Sequence, residues 1–211
     1  TRRGVIATAN ATNSYPEAAI AQLPGGGLLS VVRHHSSASP ITPDSNVPAG
    51  VPLSTTSSDG GVTWAAPRAL DVSFPHGYDP YDDATGAVRG ISPQLRLLPN
   101  GVMVLSSGRP DNWLAISTNG LGTGWVGQLT YRNCPTSGYR LHGSTGNTGL
   151  EIVGSNRVIQ IGDNCENTWA CDEPEESGFT VDRQNRIWKR FADVLTPDVG
   201  KIDLATKYRR G

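Results

Sequence analysis

The sequence predicts an all-β fold built from repeated four-stranded antiparallel sheets, and three observations support this prediction. First, the 211-residue chain contains 25 Gly and 15 Pro, together about 19% against roughly 12% in an average protein, so its apolar segments are short and separated by turns. Second, a hairpin pattern occurs three times. Third, a turn motif ending in Trp follows each hairpin. Helical bundles and coiled coils are excluded, because they need long runs without Gly or Pro. A disordered tail is not expected, because with Gly included the apolar share is close to the roughly 45–50% of globular proteins.

Each hairpin pattern joins two apolar runs, rich in β-branched residues, across a turn that contains Gly or Asn. The three copies are Ala18–His34, Pro93–Arg109 and Thr148–Asp163. With the segments that follow them, they define repeats over approximately residues 14–70, 89–131 and 146–194. We therefore expect one domain over residues 1–211, composed of similar sheets.

The turn motif occurs at Ser57–Trp64, Ser117–Trp125 and Thr180–Trp188, and its copies begin 60 and 63 residues apart. In the first copy, S-S-D-G-G-V-T-W, the Asp side chain is suited to cap turn N–H groups, Gly permits a positive φ, and Trp packs under the turn. Asn119 replaces the Asp in the second copy, and the third copy lacks Gly. We interpret the motif as a structural turn rather than an active site.

These hairpins and turns resemble the sialidase-like Asp-box (BNR repeat) β-propellers, in which each blade is a four-stranded antiparallel meander. The resemblance covers about Ser14–Val194 and predicts three blades. Because closed propellers usually have 4–8 blades, it implies a larger propeller completed by additional blades from a further segment or another chain. Asp198–Tyr208 is expected to begin a fourth blade.

A meander also predicts where ligand-binding residues gather. The beginning of each first strand and the end of each second strand lie at one end of the sheets, and loops at such an end carry function. An arginine fork binds a carboxylate through two parallel hydrogen bonds, which suits a sialate or a uronate. The predicted substrate-binding residues at this end are Arg33, Arg109, Arg89 and Glu17. In the alternative interpretation, each arginine only ends a strand and pairs with a loop carboxylate.

The candidate catalytic residues at the same end are Tyr139, His142, His34 and Asp163. The resemblance implies sialidase chemistry, with a Tyr nucleophile activated by a Glu and an Asp acid/base. The usual position of that Tyr holds Asn147-Thr148, and Tyr139 is the candidate substitute. The predicted function is exo-acting hydrolysis of an acidic glycan. A His or Tyr base beside arginines also fits β-elimination by a polysaccharide lyase, and a non-catalytic glycan-binding propeller is the third alternative.

Several residues outside these sets have two interpretations each. Asp79, Asp82 and Asp83 offer hard oxygen ligands for calcium, or form a solvated turn, and no other cofactor is expected. Trp113 and Trp169 either stack on sugar rings or pack in the core.

The composition limits partners and location. A net charge of −1 argues against a nucleic-acid partner, which favours a basic face. No apolar run approaches the ~18 residues of a membrane span, so no membrane partner is expected. Cys165 and Cys171 suit a disulfide across a loop, with zinc as the alternative and Cys134 unassigned. We therefore expect a secreted protein whose partner is an acidic oligosaccharide or polysaccharide.

Overall fold

The computed structural model describes residues 4–10, 13–36, 51–75, 88, 90–108, 112–131, 147–164, 186–194 and 202–204. Within these ranges the regular structure is entirely β-strand. In chain order the strands are β1 Asn13–Ser14, β2 Ala18–Gln22, β3 Leu28–Val32, β4 His35–Ser36, β5 Leu53–Ser57, β6 Arg68–Ala69, β7 Val72–Ser73, β8 Ile91–Leu97, β9 Met103–Gly108, β10 Asn112–Ser117, β11 Trp125–Tyr131, β12 Thr148–Ile152, β13 Arg157–Asn164, β14 Arg186–Val194 and β15 Ile202–Leu204.

The strands form three meanders that follow one another along the chain. The first sheet has the order β2-β3-β5-β6, the second has β8-β9-β10-β11, and the third has β12-β13-β14-β15, all with antiparallel neighbours. The short strand β7 pairs in parallel with the outer edge of the second sheet, and β1 pairs with β4. The prediction of an all-β fold with four-stranded antiparallel blades is confirmed.

The second sheet lies between the other two and is buried on both faces. Because successive strand residues point to opposite faces, Met103 and Leu105 of β9 pack towards the first sheet, whereas Val104 packs towards the third. One core holds Met103 and Leu105 together with Leu29 and Val31 of the first sheet. The other core joins the second sheet to the third through buried side chains, namely Leu98, Val102, Val104, Leu114, Ile116, Leu150, Val158, Ala192 and Val194. The first strand of the second sheet, β8, contacts those of both neighbours, β2 and β12, as expected for adjacent propeller blades.

The turn at Ser57–Trp64 connects β5 to β6, as predicted, and the Asp59 carboxylate organises it. Oδ1 of Asp59 accepts hydrogen bonds from the N–H groups of Val62 and Thr63, at 3.0 and 2.9 Å. Oδ2 accepts one from the Thr63 hydroxyl at 2.6 Å. Gly60 and Gly61 have φ values of 71° and 88°, which only glycine adopts readily. The Asp side chain therefore replaces backbone partners that this tight turn lacks.

The turn at Ser117–Trp125 connects β10 to β11 in the equivalent position of the second sheet. Asn119 Oδ1 accepts from the Leu121 N–H at 2.9 Å, and Asn119 Nδ2 donates to the Thr123 hydroxyl at 2.9 Å. Gly120 approaches Gly101, which lies in the β8–β9 turn. The connections between first and second strands and between third and fourth strands thus share one end, as the meander predicts.

Replacing Asp59 with Ala is expected to lower the melting midpoint by about 3 °C, the size expected for one lost capping interaction in a chain of this length. The hydrogen bonds from Thr63 and Ser57 lower the pKa of Asp59 to about 2. Its stabilising effect is therefore complete above the unfolded value of 3.8 and is lost as the pH falls through about 2.

Thermal melts at pH 7 and pH 3 check this prediction. The difference in melting midpoint between wild type and Asp59→Ala should be smaller at pH 3. Asp59→Asn is the matched control, because Asn119 already performs the same role in the second sheet. An Asp59→Asn variant as unstable as Asp59→Ala would contradict this account of the turn.

Two sequence predictions for the third sheet are wrong. The motif spacing predicts that the third copy of the turn motif follows the third strand, but its end, Arg186–Trp188, begins the third strand β14 itself. Isoleucine and tryptophan in that segment favour a strand, and no glycine is present to permit a positive φ. Ile202–Leu204, expected in a fourth blade, pairs antiparallel with β14 and completes the third sheet.

Candidate functional site

An ion pair lies at the end of the sheets where β2, β8 and β12 begin, which we call the upper end. Arg33 Nη1 donates to Glu17 Oε1 at 2.8 Å. The pair forms because the β2–β3 ladder continues one residue beyond the strands, where the Arg33 N–H donates to the Glu17 carbonyl at 2.8 Å. Opposed residues of antiparallel strands present neighbouring side chains. The Glu17 side chain is 32% exposed and that of Arg33 only 11%, so the carboxylate is the accessible partner.

The second oxygen of Glu17 is held by the neighbouring sheet. Glu17 Oε2 accepts a hydrogen bond from the backbone N–H of Ser92, in β8, at 2.5 Å. Both carboxylate oxygens therefore have a donor, one cationic and one from the main chain. Hydrogen bonds of this charge-assisted kind are about twice as strong as neutral ones. They fix an anionic group where the first and second sheets meet.

The third sheet joins this cluster through Ser92. Ser92 Oγ donates to Asn147 Oδ1 at 3.1 Å, and Thr148 Oγ1 donates to the Ser92 carbonyl at 3.4 Å. Asn147 immediately precedes β12 and is exposed, as is part of Glu17. The upper-end cluster, defined as Glu17, Arg33, Ser92, Asn147 and Thr148, brings a carboxylate, a hydroxyl and an amide from three sheets to one surface.

The structure places Arg33 against a carboxylate of its own chain. This is the arrangement that the strand-ending alternative describes, and it occupies one nitrogen of the guanidinium. Within the described part of the chain, the buried Nε of Arg33 has no hydrogen-bond partner. The role of Arg33 in binding a substrate carboxylate stays a prediction.

His34 lies next to the cluster in a partly buried position. Its ring stacks on Tyr15, with centroids 5.4 Å apart and planes at 20°. Nε2 of His34 lies 2.9 Å from Asn13 Oδ1, so in this pairing Nε2 carries the proton. Burial, and to a smaller extent the nearby charge of His35, lowers the pKa of His34 below its ordinary value of 6.5. A neutral imidazole with Nδ1 unprotonated can accept a proton.

The lowered pKa of His34 predicts a pH dependence of stability. Between its folded value and 6.5 the unfolded chain binds more protons, so the free energy of unfolding rises with pH across that window. We expect urea midpoints to fall as the pH is lowered from 7 to 5, and to fall less steeply in His34→Gln. His35→Gln should reduce the slope only in part, because burial is the larger cause. An unchanged slope in His34→Gln would contradict this assignment.

Asp163 occupies the predicted place near the end of the second strand of the third sheet, β13. Its carbonyl oxygen accepts a hydrogen bond from Trp188 Nε1 at 3.1 Å, across to β14. Gly162 lies under the same indole, and a Cβ there would collide with it. The Trp188 ring thus holds the backbone of Asp163 in a fixed position.

Several predicted site residues lie outside the described residues, and their roles stay predictions. They are Arg89, Arg109, Tyr139, His142, the aspartates Asp79, Asp82 and Asp83 proposed for calcium, Trp169, and the three cysteines Cys134, Cys165 and Cys171. The described residues contain no group of three or more His, Cys, Asp or Glu side chains that could hold a metal ion. They also contain no helix long and apolar enough to cross a membrane.

Sequence reasoning missed Ser92 as a member of the cluster. The pairing of β8 with β9 shifts register between Ile91 and Gln94, so the first strand carries one extra residue near Ser92. A proline inside a strand often marks such a bulge, because it cannot donate to the ladder. Pro93, which follows Ser92 in this shifted segment, is therefore the sequence feature that could have indicated the bulge.

The chain is similar to several solved structures at low sequence identity. A structure of a protein of unknown function from Dyadobacter fermentans matches 78% of this chain and 38% of its own, with 15% identity and a TM-score of 0.53. An α-L-arabinanase of Penicillium chrysogenum, complexed with arabinobiose, matches 91% of this chain and 49% of its own, with 17% identity and a TM-score of 0.47. An intramolecular trans-sialidase from Ruminococcus gnavus matches 74% and 29%, with 17% identity and a TM-score of 0.39.

No protein-family model matches the chain, and no curated protein matches it. The chain spans between 29% and 49% of the lengths of the three structures compared above. At 15% identity, the likeness to the Dyadobacter fermentans structure concerns the fold alone.

Proposed function

We propose that this chain is part of an exported, sialidase-like Asp-box propeller that hydrolyses a glycosidic bond at the end of an acidic glycan. The observation that carries the proposal is the Glu17 carboxylate, which Arg33 and the Ser92 N–H hold at the surface where three sheets meet. The hydrogen-bonded turns at Ser57–Trp64 and Ser117–Trp125 support the Asp-box assignment. Export rests on the predicted Cys165–Cys171 disulfide.

Glu17 is suited to the electrostatic part of this chemistry. Glycoside hydrolysis passes through an oxocarbenium-like transition state, which a fixed negative charge stabilises. A carboxylate can also accept the proton of a tyrosine nucleophile, and Tyr139 is the proposed nucleophile. Asp163, near the end of β13, is the proposed acid/base, with His142 and His34 as alternatives for proton transfer. Because Arg33 already pairs with Glu17, Arg109 and Arg89 are proposed as the main contacts for the substrate carboxylate.

A second candidate is β-elimination at a uronate, and His34 favours it. Its pKa is lowered by burial, so the imidazole is neutral near pH 7 and can abstract the acidic C5 proton. The electron pair forms the C4–C5 double bond and breaks the C4–O bond, and the departing glycosidic oxygen takes up the proton that His34 removed, which leaves an unsaturated uronate. No water is consumed in that reaction.

Product analysis on the full chain tests the proposal. The substrates are fluorogenic aryl glycosides of sialate, glucuronate and neutral arabinofuranose, together with a polyuronate. Release of the fluorophore from an acidic glycoside, faster than from the neutral one, is the expected result. An ultraviolet-absorbing unsaturated product from the polyuronate would show that the chain catalyses elimination instead of hydrolysis. Calorimetric binding of an acidic oligosaccharide without turnover would overturn both and indicate a binding module.

A further inference from the structure

Among the described residues, Ser92 is the single residue other than glycine with a positive φ, at 47°. This left-handed region is unfavourable for a residue with a side chain, and such residues persist where surrounding contacts over-determine their conformation. Glycine would relieve this strain, but serine does not. The surrounding contacts therefore have to maintain the conformation of Ser92.

The left-handed conformation accompanies a change in what the Ser92 backbone bonds to. Ser92 lies in the register shift between Ile91 and Gln94, so it has no directly opposed partner in β9. Its N–H donates instead to Glu17 Oε2 of the first sheet, at 2.5 Å. On the other side, its hydroxyl contacts Asn147 and its carbonyl accepts from Thr148 of the third sheet.

We propose that Ser92 is a positioning residue for Glu17, and that its left-handed backbone at the β8 bulge aims the N–H that orients the carboxylate. This inference rests on the proposed function of the upper-end cluster and names the residue that prepares its anion. Arg33 contacts only one oxygen of Glu17, and that single contact does not define the plane of the carboxylate. The second contact, from the Ser92 N–H to the other oxygen, does define it.

If Ser92 positions Glu17 in this way, activity depends on whether residue 92 tolerates a positive φ and not on its hydroxyl. Ser92→Gly keeps the N–H and adopts φ 47° more easily than serine. Ser92→Val keeps the N–H, but its β-branched side chain resists that conformation and turns the N–H away from Glu17. Ser92→Ala is intermediate. Ser73→Val, at an exposed position of β7 on the outer edge of the same sheet, is the matched control.

For the glycoside that the full chain hydrolyses, we expect Ser92→Gly to lose less kcat than Ser92→Val. Ser92→Val should lose about tenfold or more in kcat with KM little changed, because an N–H that is turned away no longer holds the Glu17 carboxylate in its productive orientation. A loss in Ser92→Gly equal to that in Ser92→Val would overturn the proposal, since the hydroxyl would then be the essential group. Equal activity in all variants would also overturn it.

A second readout does not depend on turnover. The ¹H–¹⁵N resonance of the Ser92 amide is expected to change when Glu17 is replaced by Ala, both in the wild-type background and in Ser92→Gly, because the Glu17 carboxylate accepts its hydrogen bond. In Ser92→Val the amide resonance of residue 92 should be nearly the same with and without Glu17→Ala. A wild-type Ser92 amide resonance that Glu17→Ala leaves unchanged overturns the positioning role, whether or not the chain is a hydrolase. Absence of turnover with that dependence on Glu17 intact would overturn the proposed function alone.

Discussion

Replacing Glu17 with Gln is expected to lower kcat for an acidic glycoside by about a thousandfold, within the range by which single acid–base groups contribute. The substitution removes the negative charge and puts an amide NH₂ in place of one carboxylate oxygen. That NH₂ then faces either Arg33 Nη1 or the Ser92 N–H, so two donors oppose each other. The measurement is steady-state hydrolysis by the full chain, with kcat and KM determined separately.

Controls separate chemistry from folding in this experiment. Glu151→Gln is the matched variant, because Glu151 is an exposed carboxylate on β12 that pairs with Arg96 at 3.3 Å, outside the upper-end cluster. It should retain wild-type activity. Glu17→Gln also leaves the largely buried Arg33 without its anion, which destabilises the chain. The double variant Glu17→Gln, Arg33→Met should recover stability but not activity. Retention of half the wild-type kcat by Glu17→Gln would contradict the proposed role.

Replacing Trp113 with Ala is expected to lower the free energy of unfolding by about 3–5 kcal/mol, the range for truncating a buried aromatic side chain. Trp113 is 0% exposed in the core between the first and second sheets. Its ring meets Phe74 edge to face, with centroids 6.1 Å apart. Of its two predicted roles, packing in the core is therefore confirmed.

Urea denaturation at pH 7 measures this effect, with Trp113→Phe as the conservative control. Phenylalanine keeps the edge-to-face contact with Phe74 and part of the filled volume, so its loss should be clearly smaller. Trp113 also lies at the junction with the third sheet, where Gln160 Nε2 donates to its carbonyl at 3.2 Å. A loss below about 1 kcal/mol in Trp113→Ala would show that the core does not depend on this ring.

The elements that could be predicted from sequence depend on neighbouring residues. The hairpin at Ala18–His34 follows from two apolar runs and the Pro-Gly turn between them. Asp59 and the glycines beside it determine the first turn within eight residues. The third copy of the turn motif is a wrong prediction because its tryptophan, Trp188, occurs in a strand and donates a hydrogen bond to the Asp163 carbonyl across the ladder. Spacing alone did not distinguish a turn tryptophan from a strand tryptophan.

The site could be predicted only in part. Glu17 and Arg33 were placed at the correct end of their sheet, because strand ends follow from the hairpin pattern. Their pairing with each other follows from a ladder that extends one residue past the strands. Trp113 had two interpretations from sequence, since an apolar ring suits both a sugar and a core. Burial on both faces of the second sheet decided between them.

By itself the sequence determined the strands, the turns and the end of the sheets that carries polar groups, since these depend on alternation, glycine and side-chain caps within a few residues. The tertiary structure alone decided that Glu17 meets Ser92 across 75 residues and that Ser92 meets Asn147 across 55. Those contacts arise from packing one sheet against the next. That packing depends on the summed burial of the cores between sheets, which no short segment encodes.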